Sequence, residues 1–246
     1  MTRGMFMEHI HLESCASTQL YLSDNIDEMM GMAKSSDFLV TTNHQTDGVG
    51  RTGNKWDDLE QALAFSFSLR PNATFSITPL EVGCILVNYF RHTFKKEISL
   101  KWPNDLLTGE GKKCGGIICN YQAQNMVIVG VGINLSKPSE SKDTSYYKTP
   151  VGFIDLGKEV MGRSNLRKDL PAEIFNFILK NRLSAEAVVD SWSKYCLHIK
   201  KNVQINDDNY EYAGRFVGIS EGGEAIIEDL ADKSIHSFVA GHLSML

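Results

Sequence analysis

Lys101-Trp102-Pro103-Asn104-Asp105, followed by Lys113-Cys114-Gly115-Gly116-Ile117, puts a cation, an aromatic ring, a carboxylate and a second cation around one strand-turn-strand. Polar groups beside apolar strands must find partners or cost stability, so this density points to a functional site rather than to folding alone. Pro103 takes the chain out of a ladder and biases Trp102 toward extended backbone, which turns Asn104 and Asp105 toward a cleft at a strand end. An ordinary turn in which Asn and Asp bond their own backbone is the alternative. Lys113 lies just ahead of Gly115-Gly116, where its ammonium can reach the same cleft, although a hairpin lysine is more often a solvated charge. A second segment, Gln45 to Trp56, holds Gly48, Gly50 and Gly53 beside Arg51. Glycine lets backbone N–H groups approach an anion closely, and arginine offers a planar fork of donors for phosphate or carboxylate. Turn chemistry explains the same glycines equally well.

The elements that must position these residues follow from periodicity. His9 to Ser14 alternates in period two and predicts a strand, and Ser17-Thr18 supplies hydroxyls to start a helix at Gln19. Phe38 to Thr42 and Leu63 to Leu69 predict two more strands. Thr78-Pro79-Leu80-Glu81 reads as a capping box ahead of a helix whose apolar stripe is Val82, Ile85, Leu86, Tyr89, Phe90 and Phe94. Strands at Ile98 to Trp102 and Gly116 to Cys119 flank the charged turn, and Met126 to Leu135 continues as an apolar strand with Gly130 and Gly132. Lys137 to Pro150 reads as a polar surface loop, and helices are expected near Leu166 to Lys180 and Ala185 to Cys196. From Lys200 the pattern changes to short strands broken by turns, which suggests a small β-barrel appended to an α+β domain. The expected division is residues 1–198 and 199–246.

Composition narrows the class. The 246 residues are 42% hydrophobic and 22% charged, as in an ordinary globular protein. A net charge of -5 gives no basic footprint for a nucleic-acid backbone. No apolar run approaches the roughly 18 residues of a membrane span and the first residues lack a signal-peptide pattern, so a cytoplasmic protein without a membrane partner is expected. Cys15, Cys84, Cys114, Cys119 and Cys196 include no C-x-x-C pair, which argues against a disulfide framework and against zinc.

The order Ser17-Thr18, Gln45 with the glycine-rich segment to Trp56, Lys101 to Asp105, Lys113 with Gly116-Ile117, and Gly130-Val131-Gly132-Ile133-Asn134 resembles the biotin protein ligase family along nearly the whole chain. Ala240 to Ser244 looks like the end of that family's C-terminal barrel. The resemblance implies a mixed, mainly antiparallel sheet with helices packed on one face, similar to class II aminoacyl-tRNA synthetases, plus a small SH3-like barrel. It also implies a two-step reaction. Biotin's carboxylate attacks the α-phosphate of ATP to give biotinyl-5′-AMP, and a lysine of a biotin carboxyl carrier protein, of the acetyl-CoA carboxylase type, then attacks the mixed anhydride.

By the same resemblance Lys113 and Arg51 would be the catalytic cations. Biotin would be bound by Ser17, Thr18, Gln19, Gln45, Gly48, Val49, Gly50, Arg51, Lys113 and Gly116. ATP and the adenylate would be bound by Arg51, Trp56, Lys101, Asn104, Asp105, Lys113 and Asn134, with Mg²⁺ reached by Asn134 through the phosphates. Lys113 is preferred to Lys112 because it keeps the family's three-residue spacing to Gly116. Asp105 is a candidate for the group that deprotonates the acceptor lysine. The family commonly has arginine at the positions of Val49 and Asn54, and asparagine at that of Gln19. Too few residues precede the first strand for the DNA-binding module of some relatives, so a monofunctional ligase without a nucleic-acid role is expected, and homodimers are common in the family. The rival readings are a lipoate or octanoate ligase or transferase and a biotin-binding sensor with weak turnover.

Overall fold

Large and small side chains alternate along Leu63-Ala64-Phe65-Ser66-Phe67-Ser68-Leu69, and this alternation divides the two faces of the larger sheet. The computed structural model describes residues 7–32, 37–56, 62–137, 149–207 and 210–246. In chain order its elements are β1 (Met7–Cys15), α1 (Thr18–Met32), β2 (Asp37–Gln45), β3 (Gly48–Val49), β4 (Lys55–Trp56), β5 (Ala62–Leu69), α2 (Thr78–Phe94), β6 (Ile98–Lys101), β7 (Asp105–Thr108), β8 (Lys113–Gln122) and β9 (Met126–Asn134). They continue with α3 (Lys158–Met161), α4 (Leu166–Lys180), α5 (Ala185–Tyr195), β10 (Asn202–Asp207), β11 (Tyr210–Ile219), β12 (Ala225–Glu228), β13 (Ile235–Phe238) and β14 (His242–Met245).

Seven strands form one sheet in the order β1-β2-β5-β9-β8-β7-β6. Only β1 and β2 run parallel; every other neighbouring pair is antiparallel. The mixed, mainly antiparallel sheet is therefore as expected. The helices are not all on one face. Leu39, Phe65, Phe67, Val129 and Val131 pack with α2, α4 and α5 in the main core, whereas Phe38, Val40, Met126 and Ile128 pack with Leu22 and Ile26 of α1 on the other side. Strands β2 and β9 are apolar at both parities, so each of their faces needs a cover. On the α1 side the alternate positions of β5 and β9 are Ala64, Ser66, Gly130 and Gly132, and their small side chains leave room over the sheet.

The turn expected between two strands contains a third, β7. Asp105 is a strand residue, in register with Lys101 on one side and Gly116 on the other. The Trp102–Pro103 peptide bond is cis. Residues 138–148 of the expected polar loop lie outside the described residues, as do 208–209 in the C-terminal run of short strands. Thr149 to Ile154 run beside the sheet: Lys113 N donates to Pro150 O at 2.7 Å, and Gly152 N to Lys113 O at 2.7 Å.

The capping box at Thr78 does not form, because the helix already includes Thr78 and no side chain caps it. Glu81 instead accepts from Arg182 Nε at 2.7 Å, Arg182 Nη2 at 2.9 Å and Leu183 N at 2.8 Å, tying α2 to the turn before α5. Glu81 is 1% exposed. Glu81→Ala strands a partly buried guanidinium and leaves Leu183 N without its acceptor, and should cost about 3 kcal/mol, read as a lower urea midpoint at unchanged slope.

Five strands, β13-β12-β11-β10-β14, form a second antiparallel sheet compatible with an SH3-like module. Its inner residues Val203, Ile205, Phe216 and Leu243 join the same apolar core as α5. Trp102 Nε1 donates to Gly223 O at 3.0 Å, which fixes this sheet against the β6–β7 turn. His198 packs against Trp192 of α5 and Phe216 of β11 at 1% exposure, with its ring 4.3 Å from that of Phe216 and its Nε2 without a partner among the described residues. Burial first, then Lys101 and Lys201, lowers its pKa from 6.5 to about 3. The unfolded chain therefore binds the proton first, and stability present above pH 6.5 is lost as pH falls toward 3. The expected loss between pH 6.5 and 5 is about 2 kcal/mol. Thermal midpoints should record it in the wild type, and His198→Phe should flatten the profile.

Candidate functional site

A cavity of about 890 Å³ opens over the small-residue face of the sheet, and its floor is Ala64, Ser66, Gly116, Ile118, Gly130 and Gly132. Three groups of residues wall it. The first comes from the start of α1 and the end of β2. Gln45 Oε1 accepts from Thr18 N at 2.9 Å, and the Thr18 hydroxyl lies 3.0 Å from that of Ser66. Ser17 is buried and its backbone carbonyl opens the helix by accepting from Tyr21 N at 2.9 Å. Gln19 Nε2 donates to Ile128 O at 2.9 Å, while its Oε1 is buried with no partner among the described residues. Every polar atom here is neutral, which suits an uncharged polar ligand.

The glycine-rich segment is a small hairpin rather than an open phosphate loop. Val49 pairs with Lys55 and Gly48 with Trp56. Gly50 N donates to Asn54 O at 2.7 Å, so that amide is spent inside the hairpin. A side chain at Gly48 would meet Trp56 O and Gln45, and Gly53 has a φ of 76°, the left-handed region that favours glycine. Gly48 is thus closed in by Trp56 and Gln45 and does not line the cavity, whereas Val49, Gly50, Arg51, Asn54 and Trp56 do. The Trp56 indole lies where a side chain at Gly132 would stand, and its Nε1 is buried with no partner among the described residues.

The third wall carries the charge. Lys113 Nζ lies 2.6 Å from Asp105 Oδ1, and Lys101 Nζ 3.3 Å from Asp105 Oδ2. Arg51 Nη1 donates to Asn104 Oδ1 at 3.2 Å, and Asn104 Nδ2 to Ile117 O at 2.7 Å. Two consecutive residues thus bring Arg51 and Lys113 to one end of the cavity. Burial would raise the Asp105 carboxyl, but Lys113 and Lys101 outweigh it and hold it below the usual carboxylate range. Burial lowers Arg51 somewhat against the pull of Asp105. A carboxylate held by two ammonium groups is a weak proton acceptor, which argues against Asp105 as the base for an incoming amine. Lys112 faces away and pairs with Glu110 at 2.7 Å.

Asn134 closes the floor. Its Nδ2 donates to Gly152 O at 3.3 Å and its Oδ1 is buried with no partner among the described residues. A neutral amide oxygen suits a Mg²⁺ that arrives on a triphosphate and keeps most of its own waters. No three His, Cys, Asp or Glu residues form a metal cage among the described residues.

Sequence reasoning missed the floor residues Ala64 and Ser66, although the large-small alternation of β5 carried that signal. It also missed Thr149 and Val151, and the wall added by Asn206, Ala240, Gly241 and His242 of the C-terminal sheet. Trp102 also borders the cavity, although it is 1% exposed and spends its N–H on Gly223.

Residues 14–134 match the family described as the biotin/lipoate A/B protein ligase family. Among curated proteins the chain is 26% identical over 206 residues to the bifunctional ligase/repressor BirA of Bacillus spizizenii, a match covering 77% of this chain and 61% of that protein. It is 26% identical over 194 residues to the biotin--[acetyl-CoA-carboxylase] ligase of Mycobacterium tuberculosis, covering 74% of this chain and 71% of the relative. The chain thus spans less than two thirds of the length of the Bacillus relative. Among solved structures, the biotin protein ligase of Aquifex aeolicus in complex with biotin and ATP has a TM-score of 0.75 at 24% identity, covering 97% of this chain and 99% of that one. The biotin acetyl coenzyme A carboxylase synthetase of Helicobacter pylori with bound biotinylated ATP has a TM-score of 0.70 at 23% identity, covering 94% and 100%.

Proposed function

We propose, from the match of residues 14–134 to the biotin/lipoate A/B protein ligase family, that the chain activates biotin with ATP to biotinyl-5′-AMP and transfers it to a lysine of a biotin carboxyl carrier domain. The observation that carries this reading is the division of one cavity into a neutral polar end and a cationic end. At the first, Thr18, Gln19 and Gln45 offer donors and acceptors to a ureido ring. At the second, Lys113 and Arg51 offset the repulsion between a carboxylate and a triphosphate, which otherwise opposes their reaction.

In this reading Lys113 steadies the carboxylate and the α-phosphate, Arg51 the phosphates, and Asn104 with Asp105 holds both cations in place. Lys101 keeps Asp105 ionised and acts through it. Trp56 covers the ligand, and Gly116 and Gly130 give it access to the sheet. Asn134 would hold Mg²⁺ on the phosphates, where the ion supplies charge neutralisation. Residues 1–198 would carry activation, and 199–246 would complete one wall. The proposed compartment is the cytoplasm. No helix among the described residues is long and apolar enough to cross a membrane.

Exchange of labelled pyrophosphate into ATP tests the assignment. Exchange that depends on biotin supports it, exchange only with lipoate or octanoate assigns the chain to a ligase of the other branch of the family, and none with any acid leaves a sensor or an ATP-independent acyl transferase. Val49 lines the cavity where relatives by resemblance carry arginine. Val49→Arg restores a fork donor worth about 1.5–3 kcal/mol if it meets phosphate. Release of biotinyl-5′-AMP, followed by rapid filtration, should slow by about tenfold or more.

A further inference from the structure

The transfer step needs a neutral amine, yet lysine is protonated at neutral pH, with a reference pKa of about 10.4. Among the described residues, the titratable side chains lining the cavity are Arg51, Lys55, Lys101, Asp105, Lys113 and His242. Four of them are cations with no proton-accepting capacity at neutral pH. Asp105 has one oxygen on Lys113 and the other on Lys101. An imidazole is the side chain whose ordinary titration range lets it take a proton near pH 7 and return it to water. His242 is half-buried at the start of β14, in register with Asn206 of β10, and both residues line the wall that the C-terminal sheet adds to the cavity.

Resting on the ligase reading above, we propose that His242 is the proton acceptor for the carrier lysine during transfer. The lysine ammonium gives one proton to an imidazole nitrogen of His242, and the free amine attacks the carbonyl carbon of biotinyl-5′-AMP. The C–N bond forms as the bond from that carbon to the phosphate oxygen breaks, and AMP leaves with the electron pair. The second amine proton passes to the departing phosphate or to water, and imidazolium returns its proton to solvent. No oxidant or further reactant is involved. The C-terminal sheet thereby contributes a reacting group as well as a wall.

The test separates the nucleophiles. Wild type, His242→Gln and His242→Ala are loaded with biotin, ATP and Mg²⁺, and bound biotinyl-5′-AMP is quantified by chromatography. Each is then chased with a biotin carboxyl carrier domain or with hydroxylamine, whose nitrogen is neutral at the working pH. The expected result for His242→Gln is transfer to lysine slowed by about 10²–10⁴-fold, with the hydroxylamine reaction changed far less. Added imidazole should restore lysine transfer in His242→Ala. Equal slowing of both nucleophiles without imidazole rescue would assign His242 to packing and overturn the proposal, as would unchanged lysine transfer. If wild type itself forms no biotinyl-5′-AMP, the ligase reading fails, a result distinct from failure of the transfer assignment.

Discussion

Lys113→Ala is expected to lower biotin-dependent adenylate formation about 10³-fold while the protein stays folded. The Lys113 ammonium is 2.6 Å from Asp105 and its side chain is 34% exposed, so it faces the cavity and is not spent in the core. In the proposed reaction, removing it takes away a fixed positive charge where two anions must meet, and water cannot replace a preorganised charge at the same cost. The structural penalty is smaller, because Asp105 keeps Lys101 as a partner. About 1–2 kcal/mol is expected once the exposure of Lys113 is discounted. Lys112→Ala removes only a surface pair with Glu110 and should leave the rate within about threefold. Pyrophosphate exchange and thermal melts on the two variants decide the point. Loss of activity in Lys112→Ala with full activity in Lys113→Ala would reverse the assignment.

Gly130→Val should weaken biotin binding by about 10–100-fold with a milder effect on ATP. A Cβ at position 130 would stand 2.6 Å from Gln19 Oε1 and 2.9 Å from Ile118 Cγ1. Gln19 cannot swing aside freely, since its Nε2 is held by Ile128 O. The branched side chain therefore fills the space over the sheet and disrupts the neutral polar end in one step. Titration calorimetry with biotin and with ATP separates the two ends. Equal losses for both ligands would show that the division of the cavity is wrong.

The sequence carried these features unevenly. Lys113, Arg51, Asn104 and Asp105 were legible because charged and amide side chains beside apolar strands have few structural explanations. Helices α4 and α5 were legible from amphipathic spacing, which a single face of burial imposes. Glu81 was misread because Thr-x-x-Glu satisfies a local capping pattern, while its actual partner Arg182 is 101 residues away. The strand β7 was hidden for a similar reason: Asp105 reads as a turn residue until Lys101 and Lys113 are seen on either side of it. Helix α1 on the opposite face was hidden because both parities of β2 and β9 are apolar, and periodicity does not say which helix covers which side. His242 and Asn206 could not be read locally at all, since only docking of the second sheet brings them to the cavity.

Mass spectrometry of the small molecules retained by the full chain after incubation with biotin, ATP and Mg²⁺ tests the central claim most directly. Biotinyl-5′-AMP should accumulate on the wild type, depend on biotin, and be absent from Lys113→Ala. Retention of intact biotin with uncleaved ATP, or an acyl-adenylate formed from lipoate or octanoate but not from biotin, would contradict it.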